Sequence, residues 1–215
     1  MKRTITALML TVAAAGLLAV PATADDAGAR GRGCTIVGTN GDDVLFGTDG
    51  NDVICGLRGN DTIEGRTGDD RLKGGPGHDT LRGNRGEDKL IGGSGRDQLW
   101  GDADRDVMTG GKGTDRMRGY LGDDVMRSGP GRDKLYGGPG NDQLSGNDGN
   151  DTIRGGADND TIVGNLGDDT MLGYGGDDNI DGVDGVEGND FIGGSDGTDT
   201  CVADPNDDVK RCELP

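Results

Sequence analysis

From Gly38 to Asp181 one apolar residue recurs at the same place in every nine: Leu45, Ile54, Ile63, Leu72, Leu81 and so on to Ile180. Between these points the chain is polar and rich in Gly and Asp, as in GGPGNDQLSGNDGNDTIRGG at 137–156. Self-similarity at a fixed period is the mark of a repeat architecture, in which one small unit is copied and stacked. The pattern predicts many copies of one short element, each with a single residue to bury.

Sixteen nonapeptides follow one another without a gap, beginning GTNGDDVLF, GTDGNDVIC, GLRGNDTIE. Gly182, Val183 and Asp184 interrupt the count, and two more units follow at 185–193 and 194–202. Position six is Asp in all eighteen units. Position one is Gly except at Ser128, and position four is Gly except at Asp104 and Asp158. Position eight is Leu, Ile or Met in every unit but the last, where it is Cys201.

Composition alone would place this chain among disordered proteins. It has 46 Gly in 215 residues, 3% aromatic residues and a net charge of −18, too little apolar surface for so much repulsion. The strict period argues the other way, because a loose linker does not hold four positions fixed over 165 residues.

These units resemble the RTX, or haemolysin-type, calcium-binding repeat. The resemblance covers residues 38–202 and implies an all-β fold, a right-handed parallel β-roll (a β-solenoid) with two repeats per coil. Each unit would be a six-residue turn followed by a short strand. It further implies calcium ions between stacked turns, held by backbone carbonyls and by the position-six carboxylates. Those are Asp43, Asp52, Asp61, Asp70, Asp79, Asp88, Asp97, Asp106, Asp115, Asp124, Asp133, Asp142, Asp151, Asp160, Asp169 and Asp178, then Asp190 and Asp199 beyond the interruption.

The residue types suit that chemistry. Calcium takes six to eight oxygen ligands at about 2.3–2.6 Å, so carbonyls must converge on it beside the carboxylates. Gly at positions one and four is expected to supply unusual backbone angles and a close approach to the ion. An Asp in a turn can also simply bond its own backbone, but that accounts for an occasional Asp and not for eighteen. In the strand, position eight points inward and positions seven and nine point out. One inward side chain cannot offset the entropy of ordering nine residues, so metal binding is expected to supply folding energy.

The ends carry different signals. Residues 1–24 have Lys2 and Arg3, an apolar run from Ala7 to Val20, and Ala22-Thr23-Ala24, the layout of a Sec signal peptide. The run is too short for a membrane anchor. The chain after cleavage would begin at 25 and work outside the cell as a monomer of −20 charge, with 25–37 as an N-terminal cap and 203–215 as a cysteine-closed C-terminal cap. Four cysteines allow three pairings. A roll of eight coils would be about 40 Å long, which separates its ends and leaves Cys34–Cys55 and Cys201–Cys212. The arrangement looks most like the small Sec-exported haemolysin-type calcium-binding proteins of actinobacteria. It departs from RTX exoproteins, which leave by an uncleaved C-terminal signal and carry a separate catalytic or pore-forming region.

No catalytic machinery is expected. His78 is the single histidine and sits at position five of a turn, whereas a zinc protease needs two on a helix. A secreted calcium-binding protein is the first function class. An adhesin-like module for an anionic envelope polymer or polysaccharide is the second, and a cytolysin-related fragment the third. No nucleic acid, membrane span or second subunit is expected. The second class draws on the outward positions. With eighteen residues per coil, position nine forms a ladder of Phe46, Glu64, Arg82, Trp100, Arg118, Tyr136, Arg154 and Leu172. Across both faces the outward strand positions of the first sixteen units hold nine bases and two acids. Acids are therefore expected in the turns and bases on the sheets.

Overall fold

The structure is a computed structural model that describes residues 33–186 and 189–212. The proposed signal peptide, 1–24, lies outside the described residues. Twenty strands alternate between two sheets of ten, odd strands in one and even strands in the other, and every pairing is parallel. This is a parallel β-solenoid of about ten coils, and among the described residues there is no helix.

Partners lie eighteen residues apart. In the even sheet β8 (Gln98–Ala103), β10 (Arg116–Leu121), β12 (Lys134–Pro139) and β14 (Thr152–Ala157) are neighbours, with Trp100 opposite Arg118, Arg118 opposite Tyr136 and Tyr136 opposite Arg154. Strands are longer than one repeat suggests. Most run six residues, from position seven of one unit through position three of the next. Extended backbone thus enters what the sequence reads as turn.

All eighteen position-eight side chains are buried in a single core column that runs the length of the solenoid, Cys201 included. Their neighbours at seven and nine are exposed or half-buried except Cys55 and Gly193, the alternation a strand imposes. The caps join the sheets. Residues before the repeats add β1 (Ile36–Val37), and residues after them add β20 (Asp208–Lys210), paired to β18 (Phe191–Asp196). Both bridges form as the spacing suggests, Cys34–Cys55 and Cys201–Cys212, with Cα separations of 6.1 and 5.6 Å.

The interruption is absorbed within one turn. Strand β16 (Thr170–Gly175) meets β18 with Thr170 opposite Phe191, a step of 21 residues, and inward and outward faces stay matched. Gly182 and not Gly185 occupies the position-one place. Its N–H donates to Val202 O as Gly38 N–H does to Cys55 O, while open space surrounds Gly185. The three extra residues therefore lie inside the turn that Gly182 opens, and not ahead of it.

Candidate metal centre

The turns stack into two columns of aspartates, one along each edge of the solenoid. In every step the position-six N–H donates to Oδ1 of the Asp one coil further on. Examples are Asp61 to Asp79, Asp97 to Asp115 and Asp142 to Asp160, at 2.8 to 2.9 Å. The interruption does not break the columns, since Asp169 N–H reaches Asp190 Oδ1 and Asp178 N–H reaches Asp199 Oδ1. One oxygen of each carboxylate thus ties neighbouring coils together.

The other oxygen has no such use. From Asp61 to Asp199, sixteen position-six carboxylates are 0–3% exposed, and Oδ2 of each is buried without a hydrogen-bond partner. A buried acceptor left unpaired is costly, and a row of sixteen is far outside what a folded chain tolerates as accident. Burial, with the neighbouring carboxylates adding to it, pushes Asp61, Asp88 and Asp115 up to about 7 and Asp106, Asp151 and Asp160 up to about 8.

Position-one glycine is set by this oxygen. A Cβ on Gly101 would lie 2.1 Å from Asp106 Oδ2, and one on Gly119 would lie 2.0 Å from Asp124 Oδ2. Close approach, not backbone angle, is the reason for glycine there, since position one does not take positive φ in these turns. Ser128, the exception, is buried and turns its hydroxyl to donate to Gly146 O at 2.6 Å. Position four combines both demands. Gly95 has φ +136°, and its Cβ would fall 1.7 Å from Gly77 O of the preceding coil. Asp104 and Asp158 adopt the same left-handed region at φ 75°.

Position two is the left-handed place that sequence reasoning missed. Leu57, Arg66, Asn84, Asp102, Tyr120 and Tyr174 all have φ between 76° and 89°. The available signal was the Gly and Asn at many position-two sites, from Gly75 to Asn165.

The first two units differ. Asp43 is half-buried, and its Oδ2 accepts the N–H and hydroxyl of Thr39 at 2.6 and 3.0 Å. Thr48 does the same for Asp52, whose carboxyl is held below its ordinary value chiefly by the Thr48 N–H. These two carboxylates are satisfied by their own turns, and the other sixteen are not.

The donor set fits a hard cation. Asp106 Oδ2 shares the space beside Gly101 with the carbonyl of Gly119, and Asp124 Oδ2 shares the space beside Gly119 with the carbonyl of Gly137, and oxygen is what calcium prefers. No three Asp, Glu, His or Cys side chains converge among the described residues, so a cation here would complete its shell from the backbone. His78 has a structural place outside this set. It continues the position-five ladder, its Nδ1 accepting Arg96 N–H at 2.8 Å as Asn60 Oδ1 accepts His78 N–H.

The RTX calcium-binding nonapeptide repeat model matches in overlapping stretches that together run from 35 to 209. The chain belongs to that family. It is a calcium-binding repeat protein, and its stacked aspartates are the family's repeated feature seen in this sequence. A comparison with curated proteins finds no match.

Proposed function

We propose that this is a secreted, non-enzymatic protein that folds as calcium enters between its stacked turns. The observation that carries the reading is the row of sixteen buried, unpartnered Oδ2 atoms. Without a cation each column stacks reluctant charges on one another, and with one the same oxygens become ligands. Asp61 to Asp178 every nine residues, with Asp190 and Asp199, would hold the ions. Asp43 and Asp52, capped by Thr39 and Thr48, contribute least. Bound calcium supplies charge neutralisation and cross-links between coils.

Export through the Sec route is supported by the layout of residues 1–24. The two disulfides suit an oxidising compartment. Calcium is scarce in the cytosol, so such a chain would stay unfolded until it leaves.

Circular dichroism of residues 25–215 in chelator and then in rising calcium tests this. The chelated chain is expected to be expanded, and β signal to appear cooperatively at about 0.1–1 mM calcium, the range of extracellular sites. An identical spectrum in both conditions would overturn the proposal. A second reading, an adhesin-like monomer for an anionic envelope polymer, is supported by the outward bases of the even sheet, among them Arg116, Arg118 and Lys134.

A further inference from the structure

The charge of this protein is sharply divided. The chain is −18 overall, yet the position-seven and position-nine sites of β8, β10, β12 and β14 carry Gln98, Trp100, Arg116, Arg118, Lys134, Tyr136, Thr152 and Arg154 and no acid; the one acid within these four strands, Asp102, is paired with Arg82. The single tryptophan of the sequence is here. A shallow groove of about 180 Å³ opens on this face, lined by Gln98, Trp100, Arg116, Arg118, Lys134 and Tyr136.

These cations are not neutralised within the molecule. The ion pairs among the described residues are Arg82 with Asp102 and Lys210 with Asp208, and neither involves the groove. Arg82 stands in the same ladder, opposite Trp100, but Asp102 holds its guanidinium through Nε and Nη2, so the unpaired cations begin two coils on, at Arg116 and Arg118. Arg118 and Arg154 both lie over the Tyr136 ring, 5.5 and 5.2 Å from its centroid. Held against the ring, they lose little further freedom when they bind, and Arg154 Nε is buried without a hydrogen-bond partner. Among the described residues no cation lies over the Trp100 ring, which is open to stacking.

We infer that this groove binds an anionic polysaccharide, with Trp100 and Tyr136 against sugar rings and Arg116, Arg118, Lys134 and Arg154 on the acidic groups. The inference rests on the second reading above and localises it. Charge complementarity selects a polyanion, because four unpaired cations stand together on an otherwise acidic protein. The aromatic rings then select a polymer with flat apolar faces between its charges. Guanidinium groups match carboxylate geometry in two bonds at once. Register adds the last element. Arg116 and Lys134 are directly opposed on adjacent strands, about 4.8 Å apart, so consecutive anionic sugars laid across the strands meet consecutive cations.

The test uses the whole secreted chain in calcium, with folding followed by circular dichroism, and a defined-length oligogalacturonate as probe. Neutral dextran and polyphosphate serve as comparators. Oligogalacturonate is expected to bind in a salt-dependent way and dextran not at all, with polyphosphate weaker. Arg118→Glu with Arg154→Glu should weaken binding at least about tenfold, and Trp100→Ala severalfold. Arg71→Glu with Lys89→Glu, on the opposite sheet, should leave it unchanged. Polyphosphate binding as tightly as oligogalacturonate, equal losses from either sheet, or no binding by a protein with an intact β spectrum would each overturn the inference. Absence of a β spectrum in calcium would instead overturn the calcium reading, and the two failures are thereby distinct.

Discussion

At the scale of single residues, glycine has different duties at different places in one turn. Position-one glycine makes room for a carboxylate oxygen, and position-four glycine makes room for the carbonyl of the previous coil. Gly50 has neither duty, since nothing lies within 4 Å of the place its Cβ would take and its φ is ordinary. Gly101→Ala should therefore cost about 1–3 kcal/mol, the range for forcing a methyl into filled space, and weaken calcium binding with it. Gly50→Ala should be silent. Thermal melts of both variants in saturating calcium decide the matter, and equal shifts would show that crowding around Asp106 is not what fixes position one.

At the scale of the element, the nonapeptide was legible because inward packing and turn carboxylates recur in every unit: the core column takes Leu, Ile, Met or Cys, and the carboxylate columns take Asp throughout. Position two was not legible. Its left-handed backbone is imposed by stacking against neighbouring coils, and its side chain points outward, so Tyr120 or Leu57 is tolerated at a conformational cost of about 1–2 kcal/mol. The ladder place of Arg82 was legible, but its ion pair was not, for a related reason: its partner Asp102 belongs to position two of the next coil's strand. The interruption was misplaced by one turn segment, since Gly182 and Gly185 are equivalent in sequence and only the bond to Val202 separates them. That turn also sits beside the cap, where Asp190 N–H reaches Asp207 Oδ1 at a long 3.3 Å. Asp115 has full coils on both sides, with bonds of 2.8 and 2.7 Å. Asp115→Ala should cost about 2–3 kcal/mol of calcium-dependent stability, the upper range for a hydrogen bond to a charged group, and Asp190→Ala less. Melting both variants in calcium would count against this account if Asp190 proved equal or dearer.

For the whole molecule, the raised carboxyls couple metal, proton and fold. The buried position-six carboxyls such as Asp97, Asp106 and Asp124 bind their protons more tightly in the metal-free solenoid than in the unfolded chain, where the ordinary value is 3.8. Metal-free stability therefore rises as pH falls through the folded values, about 8 at Asp106 and about 6 at Asp97 and Asp124, and levels off near the unfolded value. Protons and calcium compete for the same oxygens, so calcium affinity should fall across that window. Dichroism in chelator from pH 8 to pH 4 is expected to show β signal growing with acid, and calcium midpoints moving upward. A chelated chain that stays equally unfolded throughout would remove the buried carboxyls as the cause.

The two sulfur bridges acquire a mechanical meaning at this scale. Tension on the chain ends enters at Cys34 and passes through sulfur directly to Cys55, and at the far end it passes from Cys212 to Cys201. The terminal segments 35–54 and 202–211 therefore carry no load. At the N-terminal end peeling must begin at β4 (Thr62–Thr67), which is paired on both sides, and each coil releases about 60 Å of chain for its eighteen residues. Reduction would hand the load to the outermost strands, β1 and β20, each of which is paired on one side only. The bridges make a rod that frays easily into one that resists being unwound.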